Sequence, residues 1–290
     1  MRTALKTALS VILFFILTFA ISWSLMGYGI SQDNLLWVML GVWGPSLAAI
    51  LLSLALTGPE GLKRLLGRFT RFKAPISLWI ALLILPASLH LIGRSAWQAF
   101  YDGQVTLYFR PLAMWPSAIL PSLLIAGLGE KLGWRGFALP RLQSIMTPLR
   151  AALVIGLVHT LWHLPTYWAG AGIHPVPAIW MPFFAIPFTI IAVCFFNRSG
   201  GSLVFAVGFH TIANASLSIV SFMPDERLVP ITPDLLTRLT LPLELAGPYL
   251  TVIALYWLVA IGIVVTGGLE PARTDASALG RSTNRAIMRA

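Results

Sequence analysis

Residues 129–143 read GEKLGWRGFALPRLQ and place Glu130, Lys131 and Arg135 beside long apolar runs. The rest of the chain mostly avoids charge, because 57% of its 290 residues are hydrophobic and only 10% are charged. Soluble domains carry about one charged residue in four. The composition therefore indicates a polytopic membrane protein, and the charged cluster in this stretch becomes a candidate functional feature.

The apolar runs predict an all-α membrane protein with about eight transmembrane helices. Each run approaches the roughly 20 residues that cross a hydrocarbon core of about 30 Å. The predicted spans cover residues 7–28, 35–57, 76–99, 112–130, 150–165, 176–196, 201–221 and 246–268. We expect residues 1–269 to form the integral membrane domain and residues 270–290 to be a disordered cytoplasmic tail.

The fifth predicted span is short and ends at Pro165, and proline disfavours helix in the residue before it. Broken helices at membrane depth are tolerated where protein or a water-filled cavity surrounds them. The sequence thus indicates an internal polar site near this helix end.

Basic residues set the expected orientation. We expect the protein to lie in a bacterial inner membrane with both termini in the cytoplasm. In this orientation 16 of the 20 Lys and Arg residues fall on the cytoplasmic side, Lys131 and Arg135 among them. This bias follows the positive-inside rule, which also accounts for the net charge of +10. The expected partner is therefore the lipid bilayer and not nucleic acid. Residues 58–75 are expected to form an amphipathic helix on the anionic inner leaflet.

Two other features restrict the function. Cys194 is the sole cysteine, which excludes a disulfide framework and a cysteine metal cluster. The chain has no internal repeat, which argues against transporters built from duplicated halves.

Polar residues inside the spans recur at helical spacing. His159 and His163 are four residues apart in HTLWH, and His210 and Asn214 are four apart in HTIAN, so each pair shares one helix face. By the same spacing Glu130 shares a face with Trp134, and Lys131 shares one with Arg135. A carboxylate with several imidazoles can activate water, directly or through a metal. Taken alone, a His/Asn pair at this spacing is more typical of hydrogen bonds between membrane helices than of catalysis, and the His159/His163 pair is a weak metal signal.

Three segments together resemble the CAAX protease and bacteriocin-processing family of intramembrane proteases, also called CPBP or Abi proteins. EKLGWRGFALPRLQ resembles the family's EExxxR motif, LVHTLWHLP its FxxxH motif followed by Leu-Pro, and FHTIAN its HxxxN motif. The resemblance covers roughly residues 40–220. The family includes the Ras-converting CAAX endoprotease, which removes three residues after a prenylated cysteine.

The resemblance implies an eight-helix fold with a cavity open toward the cytoplasm. It also implies roles: Glu130 and His163 would activate water, His210 and Asn214 would stabilise the oxyanion, and Arg135 is the motif arginine. The implied substrate is a CAAX-type prenylated protein or a bacteriocin-like peptide. Zinc is allowed but not required, with Glu130, His163 and His210 as its candidate ligands.

Two positions depart from the family pattern. Lys131 stands where the motif has its second glutamate, and His159 stands where the second motif has phenylalanine. On an α-helix, Lys131 would face Arg135 as a like charge and disturb its orientation. His159 would add a polar or ligand group, or face a neighbouring helix.

Three functions are compatible with these residues. The first is an intramembrane endopeptidase with Glu130 as the general base. The second is a weakly active or inactive relative that serves as a binding or immunity scaffold, which Lys131 favours. The third is a transporter that uses the Glu and His residues as a proton relay.

Overall fold

A computed structural model describes residues 2–101, 103–105, 108–167, 177–221 and 243–269, and these residues form a helical bundle as predicted. The α-helices and their bounds are α1 Arg2–Ser31, α2 Leu35–Gly41, α3 Gly44–Leu66, α4 Ile76–Tyr101, α5 Trp115–Pro121, α6 Gly129–Lys131, α7 Leu139–Gln143, α8 Pro148–Trp162, α9 Met181–Arg198, α10 Leu203–Ile219 and α11 Leu243–Val265. One antiparallel pair of two-residue strands, β1 Tyr108–Phe109 and β2 Val220–Ser221, joins the segment between α4 and α5 to the end of α10.

The all-α membrane architecture is confirmed within the described residues. Six helical segments are long and apolar enough to cross a bilayer: Thr3–Ser31, Gly44–Thr70, Ile76–Tyr101, Leu112–Gln143, Ala178–Arg198 and Ala246–Val265. The fifth and seventh predicted spans correspond to α8 and α10, which are shorter apolar helices of 15 and 17 residues. The predicted tail, residues 270–290, lies outside the described residues.

The start of the second predicted span is wrong. Residues 35–57 are not one helix, because α2 ends at Gly41 and α3 begins at Gly44 with Pro45 in its first turn. Proline lacks the N–H that would continue the earlier helix, but it fits the first turn of a new one.

The predicted amphipathic segment, residues 58–75, is largely an extension of α3. The helix passes a kink at Gly58, whose φ of 64° is a left-handed conformation suited to glycine, and runs on to Leu66. A 3₁₀ turn, Gly67–Thr70, follows it.

The fourth predicted span continues beyond residue 130, and residues 129–139 are buried within the bundle. Residues 115–143, here called the motif helix, run unbroken through α5, a π-helical turn at Ser122–Leu128, α6, a second π-helical turn at Leu132–Ala138, and α7. Such π-helical turns insert an extra residue per turn and often occur at functional sites. The short helix α6, which carries Glu130, lies between the two wide turns.

Small residues let α3 approach the motif helix closely. A Cβ atom on Gly133 would lie against the carbonyl of Pro45. Beside this contact, the buried Ser46 hydroxyl donates a 2.7 Å hydrogen bond to the carbonyl of Leu128, at the end of the first π-helical turn. The stretch GPSLAA at the start of α3 therefore supports the backbone on both sides of Glu130.

Loops expected in the cytoplasm meet on one face of the bundle. Arg71 donates a 2.8 Å hydrogen bond to the carbonyl of Gly200, and Arg198 donates one of 3.2 Å to the carbonyl of Gly268. These bonds join the loop between α9 and α10 to the loop after α3 and to the end of α11. The three segments therefore lie on one side of the bundle, as the predicted orientation requires.

We predict that Gly133→Ala lowers the free energy of unfolding by about 1–3 kcal/mol, because the added methyl group overpacks the α3 contact. Thermal unfolding of the protein purified in detergent measures this loss. Gly27→Ala is the matched control, since a Cβ there meets nothing within 4 Å on its exposed helix face. Equal melting temperatures for the two variants would contradict the close α3 contact.

Candidate active site

The three resembling segments converge in the interior of the bundle. The motif helix supplies Glu130, the end of α8 supplies His159 and His163, and α10 supplies His210. Helix α8 ends at Trp162, and His163 is its C-terminal cap. Pro165 follows two residues later and cannot continue the helix, so the sequence itself fixes this histidine pair at a helix end.

One oxygen of Glu130 organises the site. Its Oε2 atom lies 2.7 Å from Lys131 Nζ, 2.8 Å from His159 Nε2 and 3.9 Å from His210 Nδ1. The Glu130 side chain is only 3% exposed. Because an ionised carboxylate only accepts hydrogen bonds, we assign Lys131 and the Nε2–H of His159 as its donors. Glu130 is thus a buried carboxylate stabilised by an ammonium and an imidazole.

Lys131 does not act as the sequence predicts. Instead of being a cytoplasmic charge that faces Arg135, it is fully buried and pairs with its own neighbour, Glu130. Adjacent residues on an α-helix do not normally face each other. The π-helical turn that begins at Leu132 removes the α-helical spacing on which the prediction rests.

Arg135 is also fully buried, and its guanidinium reaches α9. Its Nη2 atom donates a 3.3 Å hydrogen bond to Thr189 Oγ1. The motif arginine therefore links the motif helix to α9. No sequence motif marks Thr189, so sequence reasoning misses this partner.

The two histidines of α8 occupy unequal positions. His159, the departure from the family pattern, is 4% exposed and bonds Glu130 directly, whereas His163 is only half-buried. Their ring centroids lie 4.6 Å apart. The shared face expected from their spacing is present, and His159 lies at its deeper end.

Aromatic rings form the walls of the site. Trp162 stacks on His159 with ring centroids 5.6 Å apart and an interplanar angle of 18°. Trp134 lies 5.5 Å from His159, and Phe188 lies 5.1 Å from His210. The sequence singles out Trp134 but neither Trp162 nor Phe188, although Trp162 stands within the specific string LWHLP. These apolar walls lower the local dielectric constant, which strengthens the electrostatic interactions inside.

Asn214 lies one turn beyond His210 on α10 and is half-buried. Its spacing places it on the same helix face, as predicted. Its role at an oxyanion stays a prediction.

Within the described residues, Glu130, His159 and His163 form a group that could hold a metal ion, with one ligand atom of each lying within 4.8 Å of the others. Two imidazoles and a carboxylate are a typical donor set for zinc. His159 takes the place that the sequence analysis assigned to His210. The donor types fit zinc, but the charge does not, because the Lys131 ammonium contacts the same carboxylate oxygen.

Fold and site together define a polytopic helical membrane protein with a buried carboxylate–imidazole centre. Residues 111–216 match the family described as Type II CAAX prenyl endopeptidase Rce1-like. Among curated proteins, the chain is similar to CAAX prenyl protease 2 of Methanococcus maripaludis, with 30% identity over 120 residues, 38% of this chain. The match spans 44% of that relative, less than half of its length. The motif-bearing segment is thus similar to the CAAX prenyl endopeptidase family.

We predict that Lys131→Met lowers the free energy of unfolding by about 3–5 kcal/mol, because it leaves the Glu130 carboxylate buried without its cation. The double variant Glu130→Gln/Lys131→Met removes both charges and should recover most of this loss. Chemical or thermal unfolding of the single and double variants provides the thermodynamic cycle. Additive losses would show that the two side chains are not coupled.

Proposed function

We propose that the protein is an intramembrane endopeptidase that cleaves a membrane-associated peptide of CAAX type or bacteriocin-like type. The observation that carries this proposal is the convergence on Glu130 Oε2 of two histidines from separate helices, His159 and His210. The match of the same segment to an endopeptidase family supports the reaction class. The proposed substrate class rests on the similarity to this family alone.

In the proposed reaction, Glu130 is the general base. It accepts a proton from a water molecule, and the resulting hydroxide forms a bond to the carbon of the scissile carbonyl. The proton then passes to the leaving amine as the C–N bond breaks. Proton transfer by a positioned side chain contributes typically about 10²–10⁴-fold to the rate.

The histidines and Asn214 divide the remaining tasks. His159 donates to Glu130 and holds its carboxylate in place, and His163, one turn along the same face, orients the water. His210 and Asn214 donate hydrogen bonds to the oxyanion, a type of stabilisation worth about 3–4 kcal/mol in other hydrolases. His159 thereby takes the position nearest the base that the family resemblance gives to His163.

Substrate approaches from the side on which His163 is half-buried. With both termini in the cytoplasm, as the positive-inside bias predicts, this side is reached from the cytoplasm or laterally between helices. A lipid-anchored or membrane-bound peptide meets both conditions. Zinc, were it bound by the two α8 histidines and Glu130, would polarise the carbonyl and acidify water. No step above depends on it.

Lys131 supports a second candidate function. In this function the protein is a binding or immunity scaffold with weak or no proteolysis. Lys131 Nζ lies 2.7 Å from Glu130 Oε2, so the proposed base is already engaged in an ion pair. A carboxylate held in this way is a poorer proton acceptor. The third function, a proton-coupled transporter, has no comparable observation in its favour.

For the endopeptidase, we predict that Glu130→Gln and His159→Ala each reduce cleavage about 10²–10⁴-fold. The first removes the general base, and the second removes the hydrogen bond that positions it. Mass spectrometry of membrane peptides from cells that express each variant measures the loss and identifies the substrate. His90→Gln, at a buried histidine that contacts Tyr256, is the matched control and should keep cleavage within a few-fold of wild type. Cleavage that persists in Glu130→Gln would rule out Glu130 as the base.

Lys131→Glu distinguishes the endopeptidase from the scaffold. If the site works with lysine, this change reduces cleavage, because a second buried carboxylate repels Glu130 and disturbs its hydrogen bonds. The same peptide assay reports the result. A large gain of cleavage in Lys131→Glu would instead favour the scaffold, since the natural protein would then be an impaired protease.

A further inference from the structure

The charge of the site conflicts with its donor set. Glu130, His159 and His163 offer the ligand types of a zinc site, yet the only acid among these three residues already holds an ammonium. Lys131 Nζ contacts the same Oε2 atom that His159 contacts. A cation bound by this oxygen would have to displace the lysine or lie beside it.

The surroundings leave the ammonium little freedom to withdraw. Lys131 is fully buried, and its Nζ lies 5.9 Å from the centre of the Phe188 ring, which provides a cation–π contact. Arg135, also fully buried, adds a second positive charge nearby. With Glu130 ionised, these three groups sum to about one positive charge, so a divalent ion would raise the buried charge to about three.

We propose that Lys131 is the built-in counter-cation of this site and keeps divalent metal from binding to Glu130, His159 and His163. The tethered ammonium takes the electrostatic role that a metal would have at Glu130 Oε2. The inference refines the proposed function, because it makes this chain an enzyme that activates water without metal. It depends on the charge and geometry around Lys131, the position at which the chain departs from the motif that it resembles.

The test measures metal binding and needs no substrate. Wild-type protein, Lys131→Met and Lys131→Arg are purified in detergent, stripped with a chelator and titrated with Co²⁺, whose visible absorption reports tetrahedral nitrogen and oxygen ligands. Elemental analysis after dialysis against Zn²⁺ gives the stoichiometry. Lys131→Arg keeps a cation at the position and serves as the matched control. Thermal unfolding checks that each variant is folded, and Lys131→Gln, which keeps a donor toward Glu130, replaces Lys131→Met if the latter is not.

We expect wild type and Lys131→Arg to bind no stoichiometric metal. Lys131→Met should bind one ion per chain, about 100-fold or more tightly than wild type. The reason is that the substitution removes the positive charge in contact with the carboxylate oxygen that would bind the ion. The double variant Lys131→Met/His159→Ala should lose this binding.

Two outcomes would overturn the inference. The first is one metal ion per wild-type chain that His159→Ala removes, since Lys131 would then exclude nothing. The second is a folded Lys131→Met variant that binds no more metal than wild type. Because the readout is metal content, a metal-free protein that cleaves no peptide would count against the proposed function alone.

Discussion

A carboxylate in the middle of a membrane bundle is stable only if donors replace the water it has lost, and the structure is arranged around this requirement at Glu130. Lys131 supplies the charge and His159 the hydrogen bond, both to the same oxygen. Removing either donor leaves the buried carboxylate with only the other one. Glu130 Oε2 therefore bonds both to α8, through His159, and to the motif helix itself, through Lys131.

The backbone meets the requirement by departing from regular α-helix. The two π-helical turns on either side of α6 change the direction of successive side chains, so that Glu130 and Lys131, neighbours in the chain, turn into one site. Ser46 hydrogen-bonds a carbonyl at the edge of the first turn, and Gly133 lets α3 pack directly against the second. Aromatic rings line the site and lower its dielectric constant, which strengthens each polar contact within it.

Composition and spacing predict a good part of this arrangement. Apolar runs reveal the membrane bundle, Pro165 marks the end of α8, and the spacing of His159 and His163 places them on one face. The pairing of Lys131 with Glu130 is missed because it depends on a π-helical turn, and no residue pattern in GEKLGWRGFALPRLQ distinguishes that turn from regular helix. Thr189 and Phe188 are missed because they reach the site only through the packing of α9, a contact that local sequence does not encode.

The neighbouring positions of Glu130 and Lys131 have a consequence for biogenesis. A membrane helix enters the bilayer before its partners have assembled around it, and each isolated charge costs about 2.5–3.5 kcal/mol at the helix centre. The ion pair between Glu130 and Lys131 needs no later helix, because the π-helical turns lie within the motif helix and α3, which supports them, precedes it in the chain. The bond to His159 must wait for α8. The lysine can therefore compensate the charge of the carboxylate before α8 completes the centre.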